Sequence, residues 1–318
     1  MNRLSRRQMI AHTGTHVGAG VIALGVSSTS VATEQGNQDH EPFRYCLNTG
    51  TIMGHHLSIV EEVELAANTG YSGIEPWLGK LNQYVEEGNS VPDLRKRIAD
   101  LGLVVEGAIG FPCWAVDDDE RRRQALEGFK RDMDQISQIG GKRIAAPPAG
   151  IHQTSGMDLN KVAERYRAVL DLGREMGVLP QLEIWGSAQT LGRVSEAVYV
   201  AIQSQHPDAC LLLDLFHMYK GASGFEGLRL LNGAAMQVFH INDYPEDPPR
   251  QKINDSHRVF PGDGVAPLDK IFRNLYQTGF RGALSLELFN REYWQQEAST
   301  VARTGLEKIR AAVQKALS

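Results

Sequence analysis

From about residue 40 onward, short runs of aliphatic and β-branched residues alternate with longer stretches whose apolar positions recur every three or four residues. That alternation is expected of a parallel sheet covered by helices. Eight strands are predicted, over residues 45–52, 73–78, 103–111, 143–147, 179–185, 210–216, 237–242 and 283–289. Helical periodicity occupies 58–68, 92–101, 120–139, 159–176 and 268–276. Gly102, Gly140, Gly177 and Gly279 stand where these helices should stop, because a residue without Cβ adopts the left-handed turn most easily. Eight βα units with no Pro-, Gly- or Ser-rich linker predict one closed (β/α)8 TIM barrel over residues 43–318, a single α/β domain. No GxGxxG follows the first strand, which argues against a doubly wound dinucleotide-binding sheet.

The first 32 residues read differently. Arg6-Arg7 lies in a basic start, a mildly apolar run spans residues 17–26, and Ser30-Val31-Ala32 offers a small-x-small cleavage site. The segment resembles a twin-arginine export signal, followed by a short flexible lead over 33–42. Ten weakly apolar residues cannot cross a hydrocarbon core of about 30 Å, so no stable membrane insertion is expected. The resemblance implies a periplasmic protein that meets the twin-arginine translocon during export, already folded and able to take up a metal beforehand.

Composition narrows the partners. The 33 Lys and Arg against 38 Asp and Glu give a net charge of −5, and all three basic residues of the first 32 (Arg3, Arg6, Arg7) fall outside the barrel, leaving it at −8. A body this acidic lacks the cationic surface that phosphate backbones require, so no nucleic-acid partner is expected. The three cysteines, Cys46, Cys113 and Cys210, are odd in number and lie in or beside apolar runs, and are read as small buried hydrophobes. The sequence leaves a homo-oligomer open.

Four predicted strands end alike, with an apolar run broken by one metal-competent side chain. These are Leu182-Glu183-Ile184, Leu213-Asp214-Leu215, Phe239-His240-Ile241 and Leu286-Glu287-Leu288. Each ionised group at a desolvated barrel mouth costs several kcal/mol unless paired or coordinated. Two Glu, one Asp and one His form a hard set suited to one divalent ion, Mn²⁺, Mg²⁺, Co²⁺ or Zn²⁺.

In that order on strands five to eight, these residues resemble the xylose isomerase-like barrel superfamily of sugar isomerases and epimerases, across nearly all of 43–318. Asp214-Leu215-Phe216-His217 is similar to its Asp-x-x-His, which implies a metal-binding Asp and a His217 that contacts a substrate oxygen. The run from Arg258 through Pro261-Gly262-Asp263-Gly264 is similar to its Arg-x-x-Pro-Gly-x-Gly loop, which implies that Arg258 reaches the substrate. The implied reaction is proton transfer through a cis-enediolate, with Glu183 and Glu287 as both ligands and acid/base pair, and Asp214 and His240 holding the ion. The substrate would be a small carbohydrate.

Other residues are less constrained. Glu75, at the end of strand two, either orients substrate or pairs with a neighbour. Trp77 and Trp185 stand at strand ends, where indole faces can stack on sugar rings; core packing is equally open for them and for Trp114. Glu106 reads as a satisfied structural acid, while His55 and His56 belong either to the mouth or to an exposed loop. Where relatives acting on free ketoses place a substrate-binding Glu, this chain has Gly186-Ser187-Ala188-Gln189, and the charged, Pro-rich loop 243–250 is expected to shape specificity. A lyase acting on a keto-sugar or inosose would use the same site. An apurinic-endonuclease-like phosphodiesterase is a further alternative, because Asp255-Ser256-His257 resembles the Asp-x-His of that group's three-zinc cluster. A non-catalytic sugar-binding barrel is the last.

Overall fold

The computed structural model describes residues 41–318, and the predicted export signal and all but the last two residues of the predicted lead lie outside them. Eight parallel strands curl around a central axis: β1 (Arg44–Asn48), β2 (Gly73–Glu75), β3 (Val104–Val105), β4 (Arg143–Ala146), β5 (Leu179–Glu183), β6 (Leu211–Asp214), β7 (Met236–Ile241) and β8 (Ala283–Leu286). Their order around the sheet is β3-β2-β1-β8-β7-β6-β5-β4. The predicted single-domain TIM barrel is what forms. The outer helices are α1 (Ile59–Asn68), α2 (Leu78–Glu86), α3 (Val91–Asp100), α4 (Asp119–Gln138), α5 (Leu159–Met176), α6 (Val194–Gln203), α7 (Leu215–Lys220), α8 (Leu268–Gln277) and α9 (Ala298–Leu317). Among the described residues no helix is long and apolar enough to cross a membrane.

The seam between β3 and β4 carries no regular ladder. It is closed by Ala145 N donating to Ala108 O at 2.9 Å and by Arg143, whose guanidinium reaches the Glu106 carbonyl at 3.2 Å. Glu106 also pairs with Arg44 across the start of the barrel, so this buried acid is satisfied structurally. The four predicted helix-end glycines all take positive φ, between 68° and 92°.

Two apolar cores result from the two faces of each strand. Outward residues such as Leu47, Leu182, Leu213, Phe239 and Leu286 pack under the helices, while Cys46, Ala145, Leu212, Val238 and Ala283 fill the barrel interior. Because side chains alternate along a strand, the interior residues lie two or four positions before the polar set Asn48, Asp214, His240 and Glu287. The interior is thus an apolar plug with a polar layer above it. Cys46 and Cys210 are buried, and burial pushes the Cys210 thiol up to about 12. Cys113 differs from the expectation: it is only half-buried, 3.5 Å from Arg121.

One buried acid sits away from the mouth. Glu62 on α1 is almost fully enclosed, and burial pushes its carboxyl up to about 7 against the opposing pull of Lys80 and Thr49. A carboxyl whose pKa rises on folding costs nothing below its unfolded value near 4.5, and costs progressively more as pH rises through 7. Glu62→Gln is therefore expected to gain stability relative to the parent at pH 8, by up to about 3 kcal/mol, and much less at pH 5. Urea titrations at both pH values check this. A gain that is equal at the two pH values would contradict it.

Candidate active site

The strand register brings the polar layer together. Asp214 pairs with His240 across β6 and β7, and Ile241 pairs with Leu286 across β7 and β8, so Glu287 follows one step above. One ligand atom from each of Asp214, His240 and Glu287 lies within 4.8 Å of the other two, and all three residues are buried.

Each is oriented from behind. Asp214 Oδ1 caps α7 by accepting the His217 backbone N–H at 2.8 Å, which frees Oδ2 for the site. The Asp-x-x-His spacing is thus the spacing of a capped helix start. His240 Nε2 is 2.9 Å from Glu75 Oε2, so Nδ1 faces the cluster, 3.3 Å from Glu287 Oε2 and 3.8 Å from Asp214 Oδ2, with no hydrogen-bond partner of its own. Asn48 uses all four of its bonds here. It donates to Glu75 Oε2 and Glu287 Oε1, both at 3.0 Å, and accepts from Gly50 N and Trp77 Nε1, both at 2.9 Å.

Arg258 is fully enclosed, with the rings of Phe216 and Phe289 at 4.9 and 5.1 Å from its guanidinium carbon. Its Nη1 donates to Asp214 Oδ2 at 2.7 Å and Glu287 Oε2 at 2.9 Å, and its Nη2 to Asp255 Oδ1 at 2.6 Å and to His217 Nε2 at 3.2 Å. That last bond puts the His217 proton on Nδ1, which has no partner, and burial lowers the His217 pKa. The Arg258 loop is itself pinned. Asp243 exchanges two backbone bonds with Val259, and its carboxylate accepts from the backbone of Tyr244, Gly262, Gly264 and Ala266 at 2.8–3.1 Å. Gly262 has φ of 94°, and a Cβ on Gly264 would stand 2.3 Å from Tyr244 O, so both glycines of the Pro-Gly-x-Gly run are required by geometry.

The two glutamates differ electrostatically. Burial pushes the Glu183 carboxyl up to about 8, helped by the negative charges of Glu287 and Asp214. Its Oε1 accepts from Trp185 Nε1 at 3.2 Å, and its Oε2 is unpartnered. Burial acts on Glu287 in the same direction, but His240 and Arg258 outweigh it and hold the carboxyl far below its ordinary value. For His240, burial favours the neutral ring, yet Glu287 and Glu75 prevail and raise its pKa.

The set fits a divalent cation. An unpartnered buried imidazole nitrogen faces two carboxylates. Glu183, the predicted fourth ligand, lies outside that cluster: its register partner is Leu212, its Oε2 is buried and unpartnered, and it feels the charges of His240, Glu287 and Asp214. The family of xylose isomerase-like TIM barrels matches residues 63–312. The chain belongs to that family. It is 28% identical over 278 residues to an inosose isomerase of Bacillus velezensis, covering 86% of this chain and 98% of that protein. It is 26% identical over 261 residues to a 3-dehydroshikimate dehydratase of Pseudomonas aeruginosa, covering 79% of this chain and 39% of that longer protein. In fold it is similar to the zinc-bound structure of the IOLI protein, with a TM-score of 0.78 and 24% identity over 87% of this chain and all of the other. This family member takes its place among the isomerases and epimerases.

Within the family barrel, the other predicted residues separate. Glu75 is fully buried, and its Oε2 pairs with Asn48, His240 and Ser285 while its Oε1 has no partner. Trp77 and Trp185 do stand at the mouth, joined by Phe111 at 5.2 and 6.0 Å between ring centroids. Trp114 is core, its indole donating to Pro147 O. The His55 ring bonds Ile52 O and Gln296 O, fixing a loop. Asp255 turns to Arg258 and His257 folds onto Asn254, so neither joins the ligand cluster. Sequence reasoning passed over Asn48, Asn242, Ser285 and the anchoring role of Asp243. The first three were findable as polar residues in the inward register, since Asn242 stands two residues beyond His240 and Ser285 two before Glu287.

Proposed function

We propose that this barrel isomerises or epimerises a sugar- or polyol-derived ketone by moving a proton at the carbon beside the carbonyl, with one divalent ion held by Asp214, His240 and Glu287 and with Glu183 beside them as the acid/base group. The observation that carries this reading is the convergence of three inward ligand atoms within 4.8 Å, beside a fourth acid with a free oxygen. A bound divalent cation would supply Lewis acidity toward the substrate carbonyl. Glu183, fixed at one oxygen by Trp185 and free at the other, takes and returns the proton. Glu287, held ionised between Asn48 and Arg258, remains a carboxylate throughout. His217, whose Nδ1 has no protein partner, would steady a developing oxyanion.

Similarity to an inosose isomerase supports a cyclic polyol ketone or a related keto-sugar as substrate. The resemblance of residues 1–32 to an export signal supports an unphosphorylated one, and cell fractionation tests that location. Similarity to a dehydratase supports a second reading, in which the same proton removal expels a β-hydroxyl. Metal analysis and product spectra test the proposal: one ion per chain and an isomeric product are expected. An enone chromophore would favour the dehydratase, and three ions per chain with phosphodiester cleavage would overturn both readings.

A further inference from the structure

Each member of the ion cluster has one polar atom committed to the protein behind it. Asp214 Oδ1 is taken by the His217 backbone N–H, His240 Nε2 by Glu75, and Glu287 Oε1 by Asn48. Asp214 Oδ2, His240 Nδ1 and Glu287 Oε2 are the atoms turned toward one another. Two of these three commitments run through a single amide. Asn48 Nδ2 donates at 3.0 Å both to Glu287 Oε1 and to Glu75 Oε2, the same oxygen that meets His240 Nε2 at 2.9 Å. With His240 Nδ1 3.3 Å from Glu287 Oε2, the four side chains Asn48, Glu75, His240 and Glu287 close a ring across the ends of β1, β2, β7 and β8.

Position 48 suits an amide and little else. It is fully buried at the end of β1, and its register partner across the sheet is Glu75 itself. Both groups facing Nδ2 are carboxylates, and both groups facing Oδ1, the Gly50 backbone N–H and the Trp77 indole N–H, are donors, so the side chain stands only one way round. An aspartate there would set a third acid against the other two, and an aliphatic residue would take the donor from Glu287 Oε1.

We propose that Asn48 is a positioning residue that selects the ion: by holding Glu287 Oε1 it makes Glu287 a one-oxygen ligand, and by anchoring Glu75 it keeps His240 turned to the ion through Nδ1. The inference rests on the cation site proposed above. Ca²⁺ takes about six to eight oxygens and readily draws both from one carboxylate, whereas smaller ions such as Mn²⁺ need fewer ligands. Two carboxylates limited to one oxygen each, with an imidazole nitrogen, therefore favour the smaller ion.

Calorimetric titration of the metal-free full chain with Mn²⁺ and, separately, with Ca²⁺ tests the role, in the parent and in Asn48→Ala, with thermal melts to establish that both fold. The parent is expected to bind Mn²⁺ at least about 100-fold tighter than Ca²⁺. Asn48→Ala should weaken Mn²⁺ binding by at least about tenfold, as loss of a group that orients metal ligands does, without weakening Ca²⁺ binding. A Mn²⁺ to Ca²⁺ ratio that stays where it was would overturn the proposal, and a parallel fall in both affinities would mark Asn48 as merely structural. Should the variant not fold, the crystal structure of the Mn²⁺-loaded parent decides: ligation through Glu287 Oε2 alone and His240 Nδ1 is expected, and ligation through Glu287 Oε1 or His240 Nε2 would overturn it. A parent that binds no Mn²⁺ would remove the cation site and the proposed function with it, whereas a parent that binds Mn²⁺ beside a variant with the same ratio would remove only the role of Asn48.

Discussion

Replacing Glu183 by Gln is expected to lower turnover by about 10³-fold or more while leaving the fold intact. The residue ends β5 in the inward register and keeps one oxygen free of protein partners in a buried site, as a group that accepts and returns a proton must. The amide preserves shape and the bond from Trp185 at Oε1. Because burial pushes the native carboxyl up to about 8, its surroundings accept a neutral group, and the melting temperature of the metal-free variant should match or exceed that of the parent. Loss of stability together with activity would indicate that Glu183 is a structural acid. Retention of both would remove it from the chemistry.

Arg258→Met is expected to cost the metal-free protein about 3–5 kcal/mol, because it strips Asp214 and Glu287 of the cation they share inside a closed site. Methionine keeps apolar volume between Phe216 and Phe289, so the loss reports on charge more than on packing. A divalent ion binding the same carboxylates should restore much of it, since a ligand at about a thousand times its Kd contributes about 4 kcal/mol. Thermal melts with and without Mn²⁺ are expected to show a larger metal-induced rise in the variant than in the parent. An equal or smaller rise would mean that Arg258 and the ion do not neutralise the same acids.

The barrel and the ligand-bearing strand ends were legible because both arise from periodicity. A single metal-competent side chain breaking each apolar run marked Glu183, Asp214, His240 and Glu287, and the register of β6, β7 and β8 brings the last three together, while Glu183 stays outside their cluster. Strand limits were less legible. The stretch 103–111 forms a strand of only two residues, and 283–289 stops pairing after Leu286, yet Ile109 and Leu288 are buried. Apolar composition there reflects enclosure at the mouth, which does not require a ladder. The neutral network was hidden for a different reason. Asn48 and Ser285 carry no charge to make their burial conspicuous, and their value lies in hydrogen bonds to residues 27 to 239 positions away. Asp243 was seen only as part of a charged loop, because its role depends on four backbone N–H groups that no side-chain pattern reveals.

The most direct measurement is solvent-deuterium incorporation at carbon, followed by NMR, when the chain loaded with one equivalent of Mn²⁺ is incubated in D₂O with inososes, ketoses and keto-glycosides. Exchange is expected beside the carbonyl of at least one of these ketones, lost on chelation and lost again in Glu183→Gln. No exchange with any of them, or exchange that survives both chelation and the substitution, would contradict metal-assisted proton transfer at this mouth.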